Sequence, residues 1–251
     1  SDIVTDYRLR TAAVLDIPIY AALREQAGAM EAAGIPLIGT LADLLSQVDL
    51  VADCTPKGIA AKNLERYRAA GIKAVFQGGE HHELTGHSFV AQANYASVCG
   101  HDATRVVSCN TTSIVRTLTA LRDAALLQKA RGVLIRRATD PWESDHSGIM
   151  NTVVPERVIP SHQGPDAQTV APDLDVVTIA AKGAHTQSHN HFWVVELTRP
   201  ASRDEVLAAF RAAPRIAFIR MSDGIVGLNS TLELMKDLGR PRGDMWEVAI
   251  W

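Results

Sequence analysis

The chain is poor in aromatic residues and cysteines, has no large excess of either charge and contains no long apolar run. Each shortage removes a class of protein. Aromatics are 5% of 251 residues while 47% are hydrophobic, so the core must be mainly aliphatic. That length suffices for one large domain or two modest ones, and the hydrophobic share excludes general disorder. No apolar stretch approaches the roughly 20 residues that cross a bilayer, so no membrane partner is expected. The start, Ser1-Asp2-Ile3-Val4, lacks the basic and apolar regions of a signal peptide. With 25 Lys and Arg against 28 Asp and Glu, the net charge of −3 leaves no polyanion footprint, and nucleic acid is not expected as a partner. Three cysteines, Cys54, Cys99 and Cys109, make no paired framework and fit a reducing interior. The expectation is a soluble, cytoplasmic protein.

What is present falls into two textures. The first hundred residues alternate helical and strand patterns. Helices are expected around Ala12–Leu15, over Ala21–Gly34, from Thr40 (as cap) to Gln47, and from about Ile59 to Ala70. Strands are expected at Ile35–Ile38, at Asp49–Cys54 as a buried strand, and at Ile72–Phe76, closed by Gly78-Gly79. Strand, crossover helix and strand make a parallel βαβ unit, and a doubly wound sheet binds its ligand beyond the carboxyl ends of its strands. Cys54-Thr55-Pro56 and Gln77-Gly78-Gly79 sit at such ends. Beyond Cys109 a helix over Thr112–Lys129 is expected, then a strand at Gly132–Arg137 and a stretch rich in Pro, Gly and His from Asp140 to Pro172. Strands at Asp175–Ala181, Phe192–Leu197 and Arg215–Met221, with helices at Ser202–Ala212 and Ser230–Gly239, complete an α+β pattern with a mainly antiparallel sheet. Two domains follow, residues 1–108 and 109–251.

The join between them is the most informative stretch. The β-branched run Arg105-Val106-Val107 ends in Ser108-Cys109-Asn110-Thr111-Thr112 and leads into the helical run Ile114–Leu121. A thiol is thereby set against the free N–H groups and positive dipole end of a helix, which favours the thiolate. An isolated cysteine is more often a small buried hydrophobe. Here Ser, Asn and Thr surround it, and Asn110 or Thr111 can cap the helix, so Cys109 reads as a nucleophile.

This segment resembles the catalytic cysteine segment of the archaeal-type (type II) glyceraldehyde-3-phosphate dehydrogenases. The likeness extends through Asp53-Cys54-Thr55-Pro56-Lys57-Gly58, Phe76-Gln77-Gly78-Gly79-Glu80, Arg136-Arg137, Ser161-His162-Gln163-Gly164-Pro165-Asp166 and His189-Asn190-His191, in the family's order. It runs from near residue 5 to the end. The resemblance implies a Rossmann-like, doubly wound dinucleotide-binding domain followed by a catalytic domain, a homotetramer, and NAD or NADP as cofactor. It also implies glyceraldehyde 3-phosphate and inorganic phosphate as substrates. Cys109 would attack the aldehyde, hydride would leave for the nicotinamide, and phosphate would cleave the thioester. There is no Gly-x-Gly-x-x-Gly turn, and the chain ends in the apolar Trp246–Trp251. We therefore expect a fragment of a longer protein, with a naturally shortened paralogue as the other reading.

The resemblance also distributes roles. The base falls on His189, a residue type suited to proton transfer near neutral pH. His191 shares its strand face if the strand starts there. With His185 the three could also bind zinc, but no carboxylate or thiol is evidently paired with them and no metal is expected. Ser108, Asn110, Thr111 and Thr112 would hydrogen-bond substrate or an oxyanion, although Thr111 and Thr112 could serve only the helix end. His162 and Gln163 match a substrate-phosphate loop that commonly reads His-His-Gly; Gln163 keeps a donor without a charge. Gly79, Thr55 and Pro56 match the dinucleotide side, and Arg137 is placed beside the cofactor more firmly than Arg136, although adjacent arginines are often a solvated pair. Cys54 reads as packing and Cys99 as inert. Two alternatives remain: another cysteine-dependent semialdehyde or aldehyde dehydrogenase, and a non-catalytic paralogue of the same fold.

Overall fold

In a computed structural model, which describes residues 7–77, 79–140, 149 and 151–251, the chain divides into two units. One comprises Ser1–Glu80 with Asp102–Thr104, the other His81–His101 with Arg105–Trp251.

The first unit runs α1 (Tyr7–Val14), β1 (Ile19–Ala21), α2 (Ala27–Ala32), β2 (Leu37–Thr40), α3 (Leu41–Leu45), β3 (Leu50–Asp53), α4 (Ala60–Ala69) and β4 (Lys73–Phe76). Strands β1 and β2 pair in parallel, as do β3 and β4, the latter with Leu50 opposite Lys73 and Asp53 opposite Phe76. The Ala74 N–H donates to the Asp102 carbonyl, adding the start of a further strand to the edge of β4. Leu9, Ile19, Ala21, Met30 and Ile35 form a small aliphatic core. The expected crossover βαβ is present, with local differences. The helix expected over Ala21–Gly34 is instead the strand β1, a single 3-10 turn at Arg24–Gln26 and the short α2. Ile19 and Ala21 are buried against the core, and burial outweighs the weak preference of this run for helix. The strand expected at Ile35–Ile38 lies two residues later, because Ile35 is used to close α2 by donating to Met30. The strand at Asp49–Cys54 is not the buried one expected: Leu50 is exposed and only Asp53 is covered.

The second unit contains β5 (Ser88–Phe89), α5 (Ala91–Asn94), the last residues of β6 (Ala103–Val106), α6 (Cys109–Asp123), β7 (Leu127–Arg137), β8 (Val154–Pro155), α7 (Gln163–Gln168) and β9 (Val176–Gly183). It continues with β10 (Asn190–Leu197), α8 (Arg203–Ala212), β11 (Ile216–Phe218), α9 (Leu228–Asp237) and β12 (Val248–Ile250). Its main sheet has the order β10-β7-β9-β8; β7 and β9 run parallel and the flanking pairs antiparallel. Helix α6 lies on this sheet. Ile114, Val115 and Leu118, spaced along one helical face, join Ala130, Leu134, Val176 and Ala180 in one core. Each fully buried Ile or Leu of this set contributes about 1.5–3 kcal/mol.

Three expectations change here. The helix thought to run to Lys129 stops at Asp123, and Leu127–Arg137 is a single strand. Ala125 turns the chain with φ 55°, and beyond it Ala130, Gly132 and Leu134 alternate inward with Arg131 and Val133 outward, a period-two pattern. The expected strand Arg215–Met221 shrinks to β11, because Met221 begins a 3-10 turn. Gly132 faces Trp193 across β7 and β10, where a Cβ would lie 2.4 Å from the indole. Only glycine admits Trp193 there, and Trp193 in turn packs on the core.

Candidate active site

Helix α6 begins at the thiol. Ser108 is its N-cap, with φ −60° and ψ 161°, and its Oγ accepts from the Thr111 N–H at 3.2 Å. This corrects the expectation that Asn110 or Thr111 caps the helix: both already lie inside it, and only Ser108 has the extended backbone of a cap. Cys109 is therefore the first helical residue and is exposed, at the positive end of the helix.

The helix start is tied to the rest of the unit by a polar chain. Thr111 Oγ1 lies 3.0 Å from Ser108 Oγ and donates to Asp166 Oδ2 at 2.9 Å. Asp166 forms an ion pair with Arg105, which is buried and also donates to Ser88 and Thr169. Thr111 is thus a buried link in this chain, and Thr112 donates to the Val107 carbonyl at 3.4 Å. Asp166, Arg105 and Ser88 were missed as site-shaping residues. Asp166 stood in a motif already singled out, but its partners are distant in sequence.

Facing the thiol are the residues that open β10. Ser188 takes φ 55°, and the chain then delivers His189, whose Nε2 lies 3.3 Å from Cys109 Sγ. The other ring nitrogen, Nδ1, accepts the Arg137 N–H at 3.1 Å. A nitrogen that accepts carries no proton, so the neutral ring holds its hydrogen on Nε2, directed at sulfur. Burial, then the charges of Arg137, His191, Arg136 and His185, push the His189 pKa down to about 3. One residue pair onward, His191 Nε2 lies 2.8 Å from Asn110 Oδ1. Burial lowers the His191 pKa to about 4. Two successive residues of the helix start thus meet His189, just before β10, and His191, within it.

Beyond the Arg137 N–H bond to His189, the remaining predicted residues have their side chains placed elsewhere. Arg137 pairs with Asp140 and Arg136 with Glu156, so neither is the solvated cation that an arginine pair suggests. His162 is exposed, with Nδ1 3.8 Å from Glu156. It lines a cleft of about 520 Å³ with Glu156, Arg157, Val158, Pro160 and Pro165; neither Cys109 nor His189 lines it, and the reactive group lies with the thiol. Gln163 is fully buried and both ends of its amide lack a partner among the described residues. The loop that carries it is pinned to β9: Thr178 Oγ1 accepts from the Gly164 N–H at 3.0 Å and from Ser161 Oγ at 2.8 Å.

In the first unit, Thr55 is held by Asp53, which accepts from its N–H at 2.9 Å and from its hydroxyl. Burial would raise the Asp53 carboxyl, but hydrogen bonds from Thr55, Asn63 and Tyr67 outweigh it and keep the pKa below the usual carboxylate value. Cys54 is exposed at this strand end, not packed as expected, because β3 alternates its faces and the buried one at this end is taken by Asp53; Gln77 Nε2 lies 2.8 Å from its sulfur. Gly79 has φ 88° and nothing within 4 Å of where a Cβ would be. These strand ends fit the approach of a dinucleotide: an open glycine in the left-handed region, and a threonine whose hydroxyl is oriented from beneath. Among the described residues, no group of three or more His, Cys, Asp or Glu is arranged to hold a metal ion. No described helix is long and apolar enough to cross a membrane.

Residues 108–239 match the family described as glyceraldehyde 3-phosphate dehydrogenase, C-terminal domain. A glyceraldehyde-3-phosphate dehydrogenase of Methanothermobacter thermautotrophicus is 41% identical over 247 residues, 98% of this chain and 73% of the relative. One from Methanococcoides burtonii is 44% identical over 230 residues, 91% of this chain and 68% of the relative. Among solved structures, aspartate semialdehyde dehydrogenase II from Vibrio cholerae superposes with a TM-score of 0.58 at 13% identity, over 70% of this chain and 64% of that one. A probable aspartate-semialdehyde dehydrogenase from Pseudomonas aeruginosa gives 0.60 at 10% identity, over 72% and 66%. The chain spans less than two thirds of either solved protein, and at these identities what is shared is the fold.

Proposed function

We propose, for a chain that belongs to the glyceraldehyde-3-phosphate dehydrogenase family, that it oxidises glyceraldehyde 3-phosphate to an acyl phosphate in central carbon metabolism. The observation that carries this reading is the 3.3 Å contact between Cys109 Sγ and His189 Nε2 at a capped helix start. Cys109 is the nucleophile: its sulfur adds to the aldehyde carbon and gives a thiohemiacetal. His189 presents Nε2–H, because Arg137 occupies Nδ1 as donor. In this tautomer its first task is to donate, to sulfur before addition and to the hemiacetal oxygen after it. Accepting the hemiacetal proton requires a free lone pair on Nε2, hence the Nδ1–H tautomer with the Arg137 N–H contact released, so the base role assigned by resemblance belongs to a later stage than the resting site. Asn110 and the N–H groups at the start of α6 supply further donors, with Ser108, Thr111 and Asp166 holding the turn in place. NAD or NADP, when bound, supplies the hydride acceptor, with Thr55, Pro56 and Gly79 on its side and Arg137 on the catalytic side. Residues 1–108 act as the dinucleotide domain and 109–251 as the catalytic domain.

We also assign the protein to the cytoplasm and to a homotetramer. Phe192, Val133 and Ile179 stand opposite one another across β10, β7 and β9, all exposed, and form an apolar stripe suited to a second copy. A monomeric mass in light scattering would remove that assignment. The primary test is turnover with glyceraldehyde 3-phosphate and either cofactor, with and without inorganic phosphate. Acyl-phosphate formation requires phosphate; turnover that ignores it overturns the phosphorylating reading. The buried Gln163, unpaired among the described residues, keeps one rival in view, since a neutral amide stands where a cation is common. Preference for a semialdehyde bearing a carboxylate over the phosphorylated aldehyde would decide for that rival.

A further inference from the structure

We infer that His191 is a positioning residue that orients Asn110, so that the asparagine offers its side-chain NH2 as an oxyanion donor beside Cys109. This rests on the dehydrogenase reading and adds a residue to it.

Strand β10 turns His191, Trp193 and Val195 to the covered face, and Trp193 and Val195 pack on the core. The edge of the His191 ring meets the Trp193 indole with centroids 6.1 Å apart, and Trp193 is itself seated on Gly132. The imidazole is therefore clamped by packing, and its Nε2 reaches Asn110 Oδ1 at 2.8 Å. Its Nδ1 is buried and without a partner among the described residues. A bare ring nitrogen is tolerated there, whereas a buried N–H without an acceptor is rarely found. The proton consequently sits on Nε2, and His191 donates to Asn110. Burial, which holds this ring neutral well below its ordinary range, works in the same direction.

That donation fixes the amide. With Oδ1 committed to His191, Asn110 must turn its NH2 the other way, and no acceptor among the described residues engages that nitrogen. Asn110 follows Cys109 directly and is otherwise buried, so a donor with no protein acceptor at this position suits the oxygen that gains charge when sulfur adds to the aldehyde. Without His191 the amide could rotate and present its oxygen, which would repel that charge. His189 and His191 thus divide the work, one acting on sulfur and the other on the orientation of the neighbouring amide.

The test compares His191→Leu, His191→Gln and Asn110→Ala in the full chain. His191→Leu is expected to lower kcat about a hundred-fold, the loss typical of one oxyanion donor, with KM little changed. Alkylation of Cys109 by neutral iodoacetamide should proceed at the wild-type rate, because the thiol and His189 are untouched. His191→Gln, which keeps an N–H near the position of Nε2, should restore kcat to within about five-fold. The double variant His191→Leu/Asn110→Ala should be no slower than the slower single variant, since both act through one amide. Additive losses, a glutamine variant as slow as leucine, or unchanged kcat in His191→Leu would each overturn the proposal. If His191→Leu fails to fold, the glutamine and Asn110→Ala variants decide alone: His191→Gln near wild type with Asn110→Ala slow supports the proposal, and any other pattern overturns it. A readout independent of turnover is 15N NMR of histidine-labelled protein. It should show His191 as the Nε2–H tautomer with its shift altered in Asn110→Ala; an Nδ1–H tautomer overturns the orientation. Wild-type protein that shows this tautomer but no turnover refutes the dehydrogenase reading instead.

Discussion

Cys54 and Cys109 each follow a parallel strand, β3 in the first unit and β6 leading into the second, yet the chain beyond them is built differently. After Cys54 the backbone passes through Thr55-Pro56 and three more residues before α4 begins at Ala60, without a side-chain cap. Asp53 folds back onto Thr55, and the sulfur meets only the Gln77 amide and the Ala52 carbonyl among the described residues. After Val107 the cap comes first, then the thiol, then the helix, with an imidazole 3.3 Å from sulfur. Both sulfurs are exposed, so exposure does not distinguish them. What does is order along the chain: a cap placed before the cysteine puts sulfur at the helix's positive end, and a cap placed after it would not.

The sharpest way to break this comparison is to remove each sulfur in turn. Cys109→Ser should lower turnover by at least about 10³-fold, since a serine hydroxyl is a far weaker nucleophile at neutral pH. Cys54→Ser should leave kcat near wild type and shift at most the apparent affinity for cofactor. Limited iodoacetamide should label Cys109 well ahead of Cys54 and Cys99, read by peptide mass spectrometry. Equal labelling of the three would mean that the helix start and imidazole confer no special reactivity.

The carboxylates behind the two strand ends should also differ. Asp166 is the ion partner of buried Arg105 and the acceptor for Thr111. Asp166→Asn leaves that guanidinium without its carboxylate, a loss of about 3–5 kcal/mol, and loosens the first turn of α6. We expect a lower urea midpoint and a lower kcat together. Asp53→Asn touches only the first unit, where the amide can still accept from Thr55, so cofactor KM should rise while alkylation of Cys109 stays unchanged. A variant at Asp166 that keeps full stability would show the polar chain to be incidental.

Acid should separate the units in time. The unfolded chain protonates His189 and His191 near pH 6.5, whereas the folded rings resist until about pH 3 and 4. Between those limits the unfolded state binds more protons, so stability of the second unit falls as pH drops from 6.5. At pH 5 each ring costs about 2 kcal/mol relative to pH 7. Asp53 behaves in the opposite register. Its carboxyl is held below 3.8, so its stabilisation persists above that value and is lost only at lower pH. Near-UV signals of Trp193 and Trp246, both in the second unit, should therefore change before those of Tyr67, and His191→Gln should remove one ring's share.

How much of this was legible follows from the reach of each interaction. The nucleophile could be read because its signal is local, a run of Ser, Cys, Asn and Thr placed between a β-branched strand and a helical stretch. The parallel βαβ of the first unit could be read for the same reason. The Leu127–Lys129 stretch was misread because Ala124-Ala125-Leu126-Leu127-Gln128-Lys129 favours helix by composition, and only pairing of β7 with β9 and β10 overrides it. Ile19–Ala21 is too short to show a period. Asp166 was in view, but its role depends on Arg105, 61 residues away in the chain. Gly132 gives no sign of its purpose until Trp193 is placed across from it.

The smallest effect tests the cap itself. Ser108 and Ser202 do the same job at α6 and α8, each with an extended backbone and an Oγ that accepts from the residue three further on. Replacing either by alanine removes one hydrogen bond to a helix N–H and should cost about 1 kcal/mol of stability in both cases. Only one of those helices carries the thiol. Ser108→Ala lets the first turn of α6 fray under Cys109 and also deprives Thr111 of a partner, so kcat and the alkylation rate should fall several-fold, roughly the factor that about 1 kcal/mol commands. Ser202→Ala should lose the same stability with no change in either rate. Matching losses of activity in the two variants would point to general destabilisation, and the link between a capped turn and a reactive sulfur would then have no support from chemistry at this site.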